Sequence, residues 1–139
     1  MKNITNSTIE RILSTAGILG GATAVFFVSY FNPVTAGFFP VCPLFSFTGL
    51  RCPGCGLTRG FHALFHGDVL TALHFNALLP VYALVFGFMF VSLVLVAVRG
   101  RGLSWKIFPP SAMYGILVLA AAFFVLRNLP FYPFTLLAP

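Results

Sequence analysis

Residues 12–31 read ILSTAGILGGATAVFFVSYF, twenty positions without a charged side chain. At about 1.5 Å of rise per residue, a helix of that length crosses a hydrocarbon core of about 30 Å. Lys2 and Arg11 precede it, as basic residues flank membrane anchors. Ala22-Thr23-Ala24 has the small-residue form of a leader cleavage site. The apolar run nevertheless continues through Val25-Phe26-Phe27-Val28, which favours a retained span. Gly17 and Gly21 have the spacing that lets two membrane helices approach closely.

The remainder of the chain repeats the pattern. A second apolar segment runs from about Asn76 to Val98, with Pro80 near its start, where proline is tolerated. A third runs from about Ser111 to Leu129, although its uninterrupted apolar part covers only Ala112 to Leu126. Pro109-Pro110 introduces it, and Arg127 at its end is expected to snorkel to the headgroups. Composition agrees: the 139 residues are 59% hydrophobic and 7% charged, where a soluble domain carries roughly 25% charged residues. Ten charged side chains cannot cover the surface of a soluble protein of this size. The net charge of +6 comes from scattered bases, without the clustering that tracks phosphates, so nucleic acid is not an expected partner. The expectation is one all-α integral membrane domain over residues 1–139, with spans at about 12–31, 76–98 and 111–129.

Loop charge gives an orientation. Lys2, Arg11, Arg99, Arg101 and Lys106 fall on one side of a three-span layout, and Arg51, Arg59 and Arg127 on the other. The richer side is expected inside. The N-terminus is then cytoplasmic and the connection between the first two spans faces outward, in an inner-membrane type of topology.

That connection, residues 40–75, carries the unusual chemistry. Asn32-Pro33 ends the first helix, and the prolines and glycines that follow exclude one continuous helix. Leu57–His66 reads as a short amphipathic helix, apolar at Leu57, Phe61, Leu64 and Phe65, with Arg59, His62 and His66 on its other face. Gly67 stops it. Asp68 then caps a second short helix, Val69–Phe75. Such helices lie in the membrane interface. Asp68 also has Arg59 as a possible ion-pair partner.

Cys42, Cys52 and Cys55 lie within 14 residues of one another in the sequence. The string CPGCGLTR, Cys52–Arg59, with Cys42-Pro43 before it and Gly67-Asp68 and Asn76 after it, resembles the DUF2752 family of small, mostly bacterial membrane proteins. The resemblance covers residues 40–80 and the hydrophobic layout, and it implies a bacterial membrane protein without carrying over a catalytic residue.

The residues themselves leave three roles open. The cysteines can form a structural or assembly cap that docks another membrane subunit or a second copy, with Arg59, Asp68 and Asn76 as structural residues. Phe38, Phe39, Phe45 and Phe47 make that cap apolar enough to mark an interaction surface. Alternatively, Cys42, Cys52 and Cys55 can ligate zinc or iron, with His62 or His66 as fourth ligand. The third role is thiol–disulfide chemistry at Cys52-x-x-Cys55, with Arg51 and Arg59 expected to favour the thiolate. No nucleophile–base–acid set is visible, and the chain reads as an accessory protein more readily than as an enzyme.

Overall fold

A computed structural model describes residues 4–104 and 109–137. Lys2 and Lys106, two of the bases on which the orientation rests, lie outside these residues. The described residues form helices and turns without strands. The helices are α1 (Ile4–Tyr30), α2 (Pro43–Thr48), α3 (Leu57–Phe65), α4 (Val69–Phe75), α5 (Leu79–Arg99) and α6 (Pro110–Leu126), followed by a 3-10 turn at Phe134–Leu137.

Two stretches, Thr8–Tyr30 and Leu79–Arg99, are long and apolar enough to cross a membrane. Helix α6 is as apolar but has 17 residues, about 25 Å, short of the roughly 30 Å hydrocarbon core. Large apolar side chains stand exposed along all three helices, among them Leu19, Phe26, Leu84, Phe90, Leu117 and Val118. A helix apolar on every side needs lipid or protein around it.

The helix ends differ from the hydropathy reading for local reasons. Helix α1 starts at Ile4 rather than near Ile12 because its first turns are helical but polar, a combination that hydropathy does not detect. Helix α5 starts at Leu79 rather than Asn76, since the Asn76 side chain accepts the Leu78 amide (2.9 Å) and so sets the turn into the helix. Helix α6 stops at Leu126, three residues before the expected end. A helix not anticipated, α2, lies in the breaker-rich segment. Pro43 occupies its first turn and Gly49, in the left-handed region (φ 71°), ends it, the usual placement of these two residues.

The chain packs as two units. The first comprises the described parts of residues 1–27 and 81–107. In it a Cβ on Gly17 would lie 3.3 Å from Leu93 Cδ1, whereas Gly21 faces open space. The expected close approach therefore exists at one of the two glycines.

The second unit, residues 28–80 and 108–139, contains every buried apolar residue among those described: Ala72, Leu78, Leu79 and Phe123. Helices α3 and α4 form a tight pair there. Asp68 Oδ1 caps α4 by accepting the Thr71 amide at 3.0 Å. The Thr71 hydroxyl first, and then this amide bond, hold its carboxyl below the usual carboxylate range. Asp68 acts as the N-cap, and no ion pair joins it to Arg59 among the described residues. Two glycines permit the α3–α4 approach. Gly56 sits at φ 83°, and a Cβ there would collide with the Phe75 carbonyl. A Cβ on Gly60 would come within 3.1 Å of the Ala72 carbonyl in α4, and closer still to Leu79 at the start of α5.

Gly56→Ala is therefore expected to destabilise the protein by at least about 1–2 kcal/mol from the left-handed backbone alone. Gly20→Ala, with open space around it, should change stability by less than about 1 kcal/mol. Thermal unfolding in detergent compares the two.

Candidate functional site

The turn Cys52-Pro53-Gly54-Cys55 is closed by the Cys55 amide donating to the Cys52 carbonyl at 3.0 Å. The Leu57 amide donates to the Gly54 carbonyl at 3.0 Å and leads into α3. The remaining carbonyl capacity is taken by two side chains from distant parts of the sequence. Asn76, 1% exposed, donates through Nδ2 to Pro53 O (2.8 Å) and Cys55 O (3.2 Å). Arg127, 2% exposed, donates through Nη1 to Cys52 O (2.9 Å) and Cys55 O (3.0 Å). Its guanidinium lies over the Phe123 ring, 4.9 Å from the centroid, a favourable cation–π position.

Asn128 holds the strand of chain entering the turn. Its Oδ1 accepts the Arg51 amide at 2.9 Å and its Nδ2 donates to the Arg51 carbonyl at 3.0 Å. The same Nδ2 donates to the Phe124 carbonyl at 2.8 Å, one of the groups that a helix C-terminus leaves without an internal partner.

Arg127 therefore does not snorkel. It turns inward because hydrogen bonding to half-buried carbonyls and stacking on Phe123 replace part of the hydration it gives up. The available sequence signal was the pair Arg127-Asn128 at the end of an apolar helix, where a carboxamide beside a cation has no use in lipid.

With its backbone fixed, the turn projects two sulfurs toward a third. Cys52 Sγ lies 3.3 Å from Cys42 Sγ and 3.4 Å from Cys55 Sγ. All three sulfurs lie within 4.8 Å of one another, and they form the one group of three or more potential metal-ligating side chains among the described residues. The contacts are longer than a disulfide of about 2.05 Å, and the cysteines are free thiols. Four sulfurs at about 2.3 Å around a tetrahedral ion stand about 3.8 Å apart. The trio is thus close to one face of such a tetrahedron.

Its protons are unevenly held. The Phe45 amide at the start of α2 faces the Cys42 sulfur, and the thiols of Cys52 and Cys55 adjoin it. These contacts lower the Cys42 pKa to about 7. Burial, and then the neighbouring thiol of Cys52, push Cys55 up to about 12. Arg51 and Arg59 are not among the causes, contrary to the expectation from their proximity in sequence. Arg51 instead leans toward the Phe45 ring, 6.0 Å from its centroid.

Neither histidine joins the sulfurs. His62 Nδ1 is 2.7 Å from the Val28 carbonyl, near the C-terminal end of α1. His66 Nδ1 is 2.8 Å from the His62 carbonyl. A carbonyl only accepts, so Nδ1 is the donor in each bond. Arg59 is exposed on α3. Asn76 is the residue whose role exceeds its reading: it ends α4, starts α5 and holds the cysteine turn.

Residues 42–90 match the model of DUF2752, a family described as proteins of unknown function. No curated protein and no solved structure matches the chain. The DUF2752 match takes in the three cysteines, the α3–α4 pair and Asn76. Arg127 and Asn128 lie beyond it.

Asn76→Ala leaves the half-buried Pro53 carbonyl without its donor and the Cys55 carbonyl with Arg127 alone, and is expected to cost about 1–3 kcal/mol, measurable as lost thermal stability together with slower recovery of three free thiols on refolding. In the reduced, metal-free protein, alkylation should show a first phase whose rate rises with pH through a midpoint near 7, the value to which Cys42 is lowered. Cys42→Ser should remove that phase, because the thiolate is the reacting form.

Proposed function

We propose that this chain is a small membrane protein whose cysteine cap binds a metal ion, zinc or iron, on Cys42, Cys52 and Cys55. The observation that carries this reading is the convergence of three sulfurs within 4.8 Å of one another on a turn whose backbone is fixed from outside it. Thiolate sets select zinc, iron–sulfur centres and monovalent copper over hard ions.

In this reading α1, α5 and α6 all cross the bilayer, α6 by local thinning of the membrane around a short helix. The N-terminus lies inside and the cap outside, as the loop charges favour. The membrane is a bacterial inner membrane, as the family resemblance implies. The cap also presents Phe47 (89% exposed) and Phe38 (58% exposed), apolar surface that suits docking on lipid, another membrane subunit or a second copy. The protein then serves as an accessory or assembly subunit whose cap carries the metal.

A second reading has one specific observation behind it. Cys52 is equally close to Cys42 and Cys55, so either can become its disulfide partner once an oxidant removes two electrons and two protons.

Elemental analysis combined with a thiol count separates the two. Protein purified in detergent without chelator or reductant is expected to carry one zinc or iron per chain and to release three reactive thiols when the metal is removed. Folded protein free of metal, with one disulfide and one thiol, contradicts the metal reading and favours the redox one.

A further inference from the structure

The chain contains three cysteines, three histidines and two acidic residues, all within the described residues. The sulfur group takes in only the cysteines. Both ring nitrogens of each histidine, and the carboxylates of Glu10 and Asp68, lie outside that group. The chain therefore supplies three side-chain ligands to an ion that ordinarily takes four. Structural zinc sites are closed by four protein ligands. Sites with three protein ligands keep a position for a ligand from outside.

Two further observations point the same way. All three cysteines are partly exposed, so a small molecule can reach them. The shape of the turn is also set by Asn76, Arg127 and Asn128 rather than by a metal. In a structural zinc module the binding energy of the ion is the folding energy. Here hydrogen bonds do that work, so the ion can leave without taking the fold with it.

We propose, building on the metal reading above, that the sulfur trio is an exchange site, completed by a thiolate from a low-molecular-weight thiol. The incoming R–SH loses its proton to solvent and its sulfur bonds to the ion, displacing a water molecule. No electron moves, and the metal keeps its charge. Exchange of that fourth thiolate gives a route by which a soft ion is loaded onto the cap and carried off it. A closed four-cysteine site lacks such a route.

Cobalt(II) provides the test, since thiolate-to-cobalt charge-transfer absorption grows with the number of bound thiolates. The full-length protein in detergent is stripped with a chelator, its circular dichroism and thermal transition are recorded, and it is reloaded with cobalt and titrated with free cysteine. The fold should survive stripping. The loaded protein should show the intensity of three thiolates, and saturating cysteine should raise it by about one third, from three sulfurs to four. His62→Gln and His66→Gln should leave both spectra unchanged.

The outcomes divide cleanly. Absence of charge-transfer bands overturns the metal reading itself. Bands that do not respond to cysteine overturn the exchange proposal alone, as does unfolding on stripping. A fourth sulfur present before any thiol is added assigns the position to a second copy and overturns the small-thiol source. A spectrum altered by either histidine variant shows that the position is filled from within the chain.

Discussion

The half-buried carbonyls of the Cys52–Cys55 turn are the constraint on which the second unit depends. A peptide carbonyl removed from water without a donor costs several kcal/mol on an alkane scale and about 1–3 kcal/mol by mutation. This turn has few donors of its own, because its sharp bend spends the Cys55 and Leu57 amides on closing it. Donors arrive from Asn76, between α4 and α5, and from Arg127, at the end of α6. Meeting this one requirement brings the ends of three helices to the cysteine segment. It also leaves the sulfurs as the groups in the turn without a backbone duty.

The same requirement explains why polar burial concentrates there. Among the described residues Ala72, Leu78, Leu79 and Phe123 are the buried apolar ones, and Asn76 and Arg127 are buried polar ones in the same unit. A charged side chain in a low-dielectric setting needs compensation, and Arg127 obtains part of it from two carbonyl dipoles and an aromatic face. The long helices bury almost nothing of themselves. Their exposed apolar surface suits lipid, and the cap is the part of the protein that packs as a folded protein does.

The sequence revealed the elements more readily than the contacts between them. Spans at 12–31 and 76–98 follow from run length, because hydropathy is a local property. Helix α4 and its Asp68 cap follow from local chemistry, and the structure has both at the expected residues. The cysteine cluster was legible because Cys42, Cys52 and Cys55 are close in the chain. Arg127 was not: its partners lie 75 and 72 residues away, and an arginine ending an apolar helix has a commoner explanation in snorkelling. His62 and His66 were misleading for the same reason in reverse. Their spacing from the cysteines allowed a ligand role, but spacing does not show that their ring nitrogens lie outside the sulfur group. Helix α2 was hidden because proline and glycine read as breakers even where one starts a helix and the other ends it.

The central claim is that side chains distant in sequence shape the turn so that three sulfurs form a metal-binding face. X-ray absorption at the metal edge of protein isolated with its native ion tests this most directly. The account predicts three sulfur scatterers at about 2.3 Å and one exchangeable ligand. A shell of nitrogen and oxygen without sulfur would contradict it.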